Sequence, residues 1–509
     1  MEEPLIDGGC GGGYIETSEL LHPAPSTVVE SGNGDYLPVK SFADVKSMFW
    51  KESMKLWIIA GPIIFNTFCL YGKNSFTQIF VGHIGNIELS AVAIALSVIS
   101  IFSIGFLLGM ASALETLCGQ AFGAGQIFML GIYMQRSWII LIVSSVFLLP
   151  IYIFATPILE LLGQEHDIAV LAGKFTIQII PQLFALAINF PIQKFLMAQS
   201  KVWVLAWISF VTLLIHVFLL WLFIYVLGMS TSGAAAAYNI TGWMSPIAQL
   251  VYVVVWCKDG WKGLSWLAFH EIWAFVRLSL ASAVMLCLEV WYFMTLVVLT
   301  GHLGDAVIAV ASISVCMNLN GWEAMLFLGI NAAISVRVSN ELGSGHPRAA
   351  KYCVFVTVAQ SFLIGLFFMV LILITKDYFA VIFTSSKELQ QAVSRLAYLL
   401  GVTMVLNSIQ PVISGVAIGG GWQALVAYIN LGCYYIFGLP LGFLMGYKLN
   451  MGVEGIWSGM LCGTALQTLI LLFIVWKTNW KHEADQASER VRKWGGKDNE
   501  DEKVVIDSC

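Results

Sequence analysis

"LGMASALETLCGQAFGAG" at 108–125 and "LGINAAISVRVSNELGSG" at 328–345 align without a gap at an offset of 220, setting Gly109 on Gly329, Gly123 on Gly343 and Gly125 on Gly345. Two further matches keep nearly the same spacing. "VGHIGNIELSAVAIALSV" from Val81 pairs with "TGHLGDAVIAVASISV" from Thr300, so that G-H-[IL]-G occurs twice, and "LGMSTSGAAA" from Leu227 pairs with "LNMGVEGIWS" from Leu449. The chain is a duplication, and its fold follows from the contents of one repeat.

Each repeat is apolar throughout. Of 509 residues 58% are hydrophobic and 11% charged, with a mean hydropathy of +0.81; a soluble protein carries about a quarter charged residues. A bilayer-crossing helix needs about 20 apolar residues. Such runs, bounded by Gly, Pro and charge, place spans near 56–79, 89–113, 129–154, 169–197, 203–226 and 232–256, then near 272–299, 306–334, 352–375, 393–418, 422–447 and 453–476. The expected fold is an all-α polytopic membrane protein of twelve transmembrane helices in two six-helix lobes. Six spans per repeat is an even number, so the halves share one orientation and relate by a pseudo-two-fold axis along the membrane normal. Residues 1–50 form a polar N-terminal segment expected to be disordered, 51–257 the N lobe with helices 1–6, 258–476 the C lobe with helices 7–12, and 477–509 a tail whose first half patterns as a surface helix.

Basic residues in short flanking loops set orientation. With both termini in the cytosol, twenty of the 26 Lys and Arg residues fall on the cytosolic side, four (Lys376, Lys387, Arg395, Lys448) on the other, and Lys73 and Lys174 inside spans. No short basic-then-apolar segment opens the chain, so no cleavable signal peptide is read and the first span directs insertion. The ten cysteines form no C-x-x-C pair, and Cys69, Cys287, Cys316, Cys433 and Cys462 lie in apolar runs as small hydrophobes. Neither a disulfide framework nor a zinc site is indicated, and no cofactor. A net charge of -5 gives no basis for a nucleic-acid partner; the partners expected are the lipid bilayer, protons and a small organic solute or anion.

"GMASALETLCGQAFGAGQ" at 109–126, "SVRVSNELGSGHPRAAK" at 335–351 and "SGVAIGGGWQALVAYINLGCYY" at 414–435 together resemble the plant multidrug and toxic compound extrusion (MATE) family, DETOXIFICATION type, over about residues 45–480. The resemblance implies a twelve-helix, two-lobe, cation-coupled antiporter. In plants it implies proton coupling and organic substrates such as flavonoids, alkaloids or organic acids. Within the family the chain is most similar to the branch associated with flavonoid transport into vacuoles.

Polar residues inside spans are the candidates for chemistry, because a charge at the bilayer centre costs about 2.5–3.5 kcal/mol and is kept where it faces a cavity or a partner. Glu289 lies midway along span seven in "LASAVMLCLEVWYFMTLVVLTG", residues 280–301. Either it binds and releases a coupling proton, the role its match to the family's C-lobe position implies, or it stays neutral and hydrogen-bonds between helices. The family commonly pairs that Glu with an Asp on span ten, where the matching residue here is Asn407, an amide that can hydrogen-bond Glu289 but cannot titrate. Asn318, Asn320, Glu323, Asn331 and Gln410 are further C-lobe candidates, with Glu323 either a second proton carrier or an inter-helix bridge. Trp291, Tyr292 and Phe293 flank Glu289, to stack on planar substrates or to pack.

In the N lobe, "LYGKNSFTQ" puts Lys73 inside span one. Aligning the G-H-x-G loops at 219 sets Glu289 on Leu70, one turn before Lys73 on the same face. Lys73 then either binds an anion or anionic substrate, or pairs with Glu289 in one state, or snorkels to the lumenal interface about 12 Å away. His216, Gln182 and Asn189 are N-lobe cavity candidates, and Pro62 is a possible kink in span one. Glu115, and Arg337 with Glu341, end spans two and eight on the cytosolic side and are read as braces of an inward gate. His83 and His302, in the paired G-H-x-G loops, either sense lumenal pH or shape turns. "ETSELL" puts three residues between Glu16 and the pair Leu20–Leu21 in an acidic-dileucine pattern, a signal for a sorting adaptor, and the resemblance makes the vacuolar membrane its destination, with the plasma membrane as alternative.

These residues point to a proton-coupled antiporter that carries organic solute from cytosol to vacuole, with an anion-permeable channel or anion transporter on the same scaffold as the alternative. A non-transporting sensor would need a signalling domain, and none is recognisable. An enzyme is not expected, since no P-loop, nucleophile elbow or metal-ligand cluster is present.

Overall fold

A computed structural model of the protein describes residues 35–494 apart from positions 39, 271, 301, 302, 304, 305 and 385. Glu16, Leu20, Leu21 and His302 lie outside the described residues. Helices account for the fold. The first repeat holds α1 (Phe42–Gly82), α2 (Asn86–Gly123), α3 (Met129–Ile153), the two-part α4 (His166–Gln178 and Ile180–Ala198), α5 (Val202–Val226) and α6 (Ser230–Trp256). The second holds α7 (Ile272–Thr300), α8 (Ala306–Gly343), α9 (Pro347–Thr375), α10 (Lys387–Gly420), α11 (Gln423–Lys448) and α12 (Gly452–Lys477), and α13 (Trp480–Trp494) follows.

Among the described residues ten helices are long and apolar enough to cross a bilayer, and α4 makes eleven. The remaining span, α6, is more polar because Tyr238, Thr241, Ser245 and Gln249 face the inside of its lobe. Outward-facing side chains are apolar, with Phe147 78% and Trp203 61% exposed, as a lipid-facing surface requires. Twelve spans in two lobes therefore stand as the sequence reading has them.

Three boundaries differ. α1 begins at Phe42, far ahead of residue 56, because Ser41 caps it: its Oγ accepts from Ala43 N, and Asp44 reaches back to Ser41 N at 3.0 Å. α2 and α8 run on to Gly123 and Gly343, beyond the apolar stretch that hydropathy registers. α4 is not one rod. It bends by 49° at Ile179, because Pro181 in the first turn of the second half has no N–H to continue the ladder. α1, by contrast, runs without interruption through Pro62.

The duplication is written into the backbone. Gly125 and Gly345 both take left-handed φ, at 75° and 73°; so do Gly228 and Asn450, at 64° and 53°, and Ser230 and Gly452, at 50° and 57°. Gly233 meets Phe223 and Met229 where Gly455, 222 residues later, meets Met445 and Met451. Pro191 in α4 and Pro411 in α10 are also 220 apart. Between the lobes, α2 crosses α7 and α8, and α1 packs on α8.

A Cβ at Gly455 would lie 2.7 Å from Met445 C and O, and overpacking of that kind costs about 1–3 kcal/mol. Gly455→Val is expected to lower the thermal midpoint in detergent by several degrees. Gly432→Ala, where nothing lies within 4 Å, is expected to leave it equal or higher, since Ala is the better helix former.

Candidate functional site

Both described chain ends lie on one face of the bundle, the terminal face, and there the lobes meet backbone to backbone. A Cβ at Gly123 would collide with the carbonyl of Asn340, and one at Gly343 with the carbonyl of Gln120. Only glycine allows so close an approach. Deeper along the same crossing, Gly109 abuts Ala283 of α7, and its repeat mate Gly329 abuts Ile64 of α1. Hydrogen bonds repeat the symmetry: Gln120 Nε2 donates to Gly419 O at 3.1 Å, and Asn340 Nδ2 donates to Ala198 O at 3.2 Å. This face is closed.

Charge reinforces the closure. Arg337 on α8 donates to Glu52 of α1 at 3.0 Å and to Glu341 at 2.7 Å, with the Glu52 carboxylate fully buried. Glu52 escaped the sequence reading because it precedes the apolar run; the signal was a lone carboxylate one turn ahead of a span. Glu115 does not reach across the seam. Lys194 of α4 donates to it, so it braces the N lobe internally.

The opposite face is open. A cleft of about 650 Å³ lies between the lobes, lined by Tyr71, Asn74, Gln78 and His83 of the N lobe and Asn318 and Trp322 of the C lobe. One aromatic pair lines it and its repeat mate stands beside it, next to Ile101 of the lining. Trp322 meets Tyr71 edge to face at 5.0 Å, and Phe102 stacks on Trp291 at 5.6 Å and 4°. Tyr71 and Trp291 are 220 residues apart, as are Phe102 and Trp322, so these pairs are repeat mates that the offset alone would have found. His83 is exposed at this mouth, its Nδ1 2.8 Å from Ile79 O.

The C lobe holds buried carboxyls. Oε2 of Glu289 and both oxygens of Glu323 are buried with no hydrogen-bond partner among the described residues. The side chain beside the Glu289 carboxyl is Gln410, not the expected Asn407. Asn407 is turned aside because its Nδ2 donates to Asn320 Oδ1 at 2.9 Å, joining α10 to α8. Gln410, one turn farther along α10 and one methylene longer, also donates to Ser414 Oγ at 3.2 Å. Glu323 forms no inter-helix bridge among the described residues. Tyr292 does not face the cleft: it is fully buried, donates to Met460 O at 2.7 Å and stacks on Tyr434 at 4.4 Å. Asn331 Nδ2 is taken up by Pro411 O at 2.5 Å.

The N lobe holds a cation. Lys73 is 7% exposed, and its Nζ lies 5.2 Å above the Tyr238 ring. It does not snorkel outward. His216 sits beside it, bridging Thr77 Oγ1 at 2.9 Å and Thr241 Oγ1 at 3.0 Å, while Tyr238 donates to Asn74 Oδ1 at 2.9 Å. Among the described residues Lys73 has no ion pair, and it does not meet Glu289, which belongs to the other lobe. Gln182 and Asn189 lie at the α4–α6 contact, against Gly242 and Ser245, and not at the cleft.

A bundle closed at one face, open at the other and polar inside is the arrangement of a carrier. A profile described as MatE matches residues 62–222 and 281–444. The chain belongs to the MATE family. It is 67% identical to Protein DETOXIFICATION 34 of Arabidopsis thaliana over 96% of this chain and 91% of that protein, and 68% identical to Protein DETOXIFICATION 35 of the same plant over 92% and 96%. The eukaryotic MATE transporter AtDTX14 superposes with a TM-score of 0.83 at 34% identity, covering 87% of this chain and all of that one. The Vibrio cholerae MATE transporter VcmN, at 17% identity and a TM-score of 0.76, shares the fold over 86% of this chain and all of its own. MATE proteins are secondary-active transporters of organic compounds, and this chain is a multi-pass member.

A MATE transporter that must separate its lobes at the terminal face and bring them back depends on the bare glycines there. Gly123→Val and Gly343→Val are each expected to lower transport by about tenfold or more, because the closed state becomes overpacked, with insertion and expression retained. Transport within twofold of the parent in both variants would sink the assignment of this seam.

Proposed function

We propose that the protein is a proton-coupled antiporter that moves organic solute, flavonoids and other secondary metabolites or xenobiotics among them, from the cytosol into the vacuole. The observation that carries this reading is Glu289, a carboxyl deep in one lobe with a buried, unpartnered oxygen and a single amide, Gln410, beside it. A carboxyl so placed exchanges a proton more readily than one locked in an ion pair. The terminal face is the cytosolic one and the cleft faces the lumen. Sidedness rests on the basic residues of the terminal face; the vacuolar destination rests on family resemblance and on the Glu16, Leu20, Leu21 signal.

In the lumen-facing state a proton from the acidic side binds Glu289, weakening its contact with Gln410 or with solute, and the solute leaves through the aromatic-flanked cleft. Closure of the far face and opening of the seam expose Glu289 to the cytosol, where the proton departs and solute rebinds. Asn407 carries no proton here; it holds α8 to α10 through Asn320. Each pH unit supplies about 1.4 kcal/mol, so a two-unit gradient supports roughly 100-fold accumulation for one proton. In sealed vesicles Glu289→Gln is expected to lose pH-driven uptake by about tenfold or more while keeping solute exchange. Full pH-driven uptake in that variant would overturn the assignment.

One observation favours a second reading, anion transport or an anion-permeable channel on the same scaffold. Lys73 is a buried ammonium without a counter-charge among the described residues, set on an aromatic face that accepts a cation. An anion, or the anionic group of a solute, would complete it. Under this reading Lys73→Ala loses anion-dependent current or affinity for anionic solutes, tested with chloride, nitrate and flavonoid glycosides at imposed pH and voltage. Currents that follow the anion gradient and persist in Glu289→Gln mark the channel. Unchanged affinity and anion dependence in Lys73→Ala dismiss it.

A further inference from the structure

Two stretches of chain outside the repeat, Asp35 and Tyr36 before α1 and the helix α13 after α12, each make contacts that cross from one lobe to the other. Asp35 precedes the N lobe, yet its Oδ1 accepts from Ala349 N at 3.0 Å and its Oδ2 from Arg348 N at 3.3 Å, capping α9 of the C lobe. Arg348 Nη1 returns a hydrogen bond to Tyr36 O at 2.8 Å. Tyr36, 2% exposed, packs with Met48, Ala349 and Val356, and its hydroxyl donates to Glu52 Oε1 at 2.6 Å. Glu52 is the carboxylate that holds Arg337 across the seam.

The other end mirrors this. α13 follows the C lobe and buries Trp480, Ala484, Ala487 and Val491, one helical stripe, against α8, α9 and the end of α2. Trp422 Nε1 donates to Glu483 Oε2 at 2.8 Å and anchors it to the C lobe. Arg490 then crosses the seam, donating to Gln120 Oε1 of the N lobe at 3.3 Å. Gln120 is the residue whose amide nitrogen holds Gly419 O, so Arg490 fixes the orientation of an inter-lobe hydrogen bond.

We propose that these segments are cross-lobe straps that hold the terminal face shut and set how often it opens. The proposal rests on the alternating-access reading above, and concerns its regulation. For the lobes to part at this face, the Asp35 cap and the Arg490 hydrogen bond must both break, while neither strap touches the cleft. The straps thus lower the population of the state open to the cytosol without altering recognition of solute at the far face. Both lie outside the membrane, where the cell can reach them.

The test uses the full chain with Cys10, Cys462 and Cys509 replaced by Ser and a reporter, Ser339→Cys, at a fully buried seam position against Gly119. An impermeant maleimide is applied to the terminal face, and labelling is read by mass at that position. Asp35→Ala and Arg490→Ala are each expected to raise the labelling rate about threefold, and the pair about tenfold, since the two contacts are separate and their effects combine. Removal of 480–509 should match Arg490→Ala or exceed it. An unchanged rate in the double variant sinks the straps, and so does an equal rise at a far-face reporter, Ser97→Cys, labelled with the same reagent applied to the far face, which would mean general loosening. A reporter that stays unlabelled in the otherwise unaltered chain at every pH and solute condition would overturn alternating access, and the straps with it.

Discussion

Two backbones that touch carbonyl to Cα leave no room for a side chain, and α2 and α8 meet in this way at Gly123 and Gly343. Everything else about the closed face follows from that approach. The gap is too narrow for water, so the carbonyls it buries need partners, and Gln120 and Asn340 supply amide donors to Gly419 and Ala198 across the seam. Arg337 and Glu52 then neutralise each other at its edge. A contact so tight has two stable arrangements, shut or separated, because intermediate spacings leave the carbonyls neither hydrated nor bonded. Such bistability is what a rocking carrier needs.

The interior polar groups are divided between the lobes. The N lobe keeps a lysine and the C lobe keeps two glutamates, none of them ion-paired with another among the described residues. A salt bridge between Lys73 and Glu289 would satisfy both and leave neither free to respond to a proton or a solute. No such pair forms among the described residues. Lys73 is instead supported by the Tyr238 ring, and Glu289 by Gln410, partners that stabilise a group without taking its place in a charge balance.

Much of this was legible in the sequence. Hydropathy placed the spans, since lipid imposes about 20 apolar residues on each, and the 220-residue offset placed the glycines of the seam. Capped or polar extensions such as Phe42–Glu52 were not legible, because hydropathy is blind to helix outside the bilayer. Glu52 was missed for that reason. Nor did the family's motif reveal that Gln410, not Asn407, attends Glu289; which of two amides a turn apart reaches a carboxyl depends on what else competes for them, and Asn320 competes for Asn407. Tyr292 looked like a substrate platform by its neighbourhood, but helix rotation turns it into the core while Trp291, the residue before it, faces Phe102.

Comparing the halves separates scaffold from chemistry. Gly109 and Gly329, Gly123 and Gly343, and Pro191 and Pro411 are identical pairs, and Phe102 with Trp322 and Tyr71 with Trp291 stay aromatic. The glycines form the inter-lobe crossings, and the aromatic pairs stand at or beside the cleft, with Tyr71 and Trp322 lining it. The groups able to carry charge are unmatched: at the same offset of 220, Glu323 corresponds to Ser103, Arg337 to Leu117, Glu115 to Ser335, and Glu289 to Cys69. With the Glu289 and Glu323 carboxyls in one lobe and a lysine in the other, the interior has a polarity that its backbone lacks, and that asymmetry comes from side chains that the duplication did not keep.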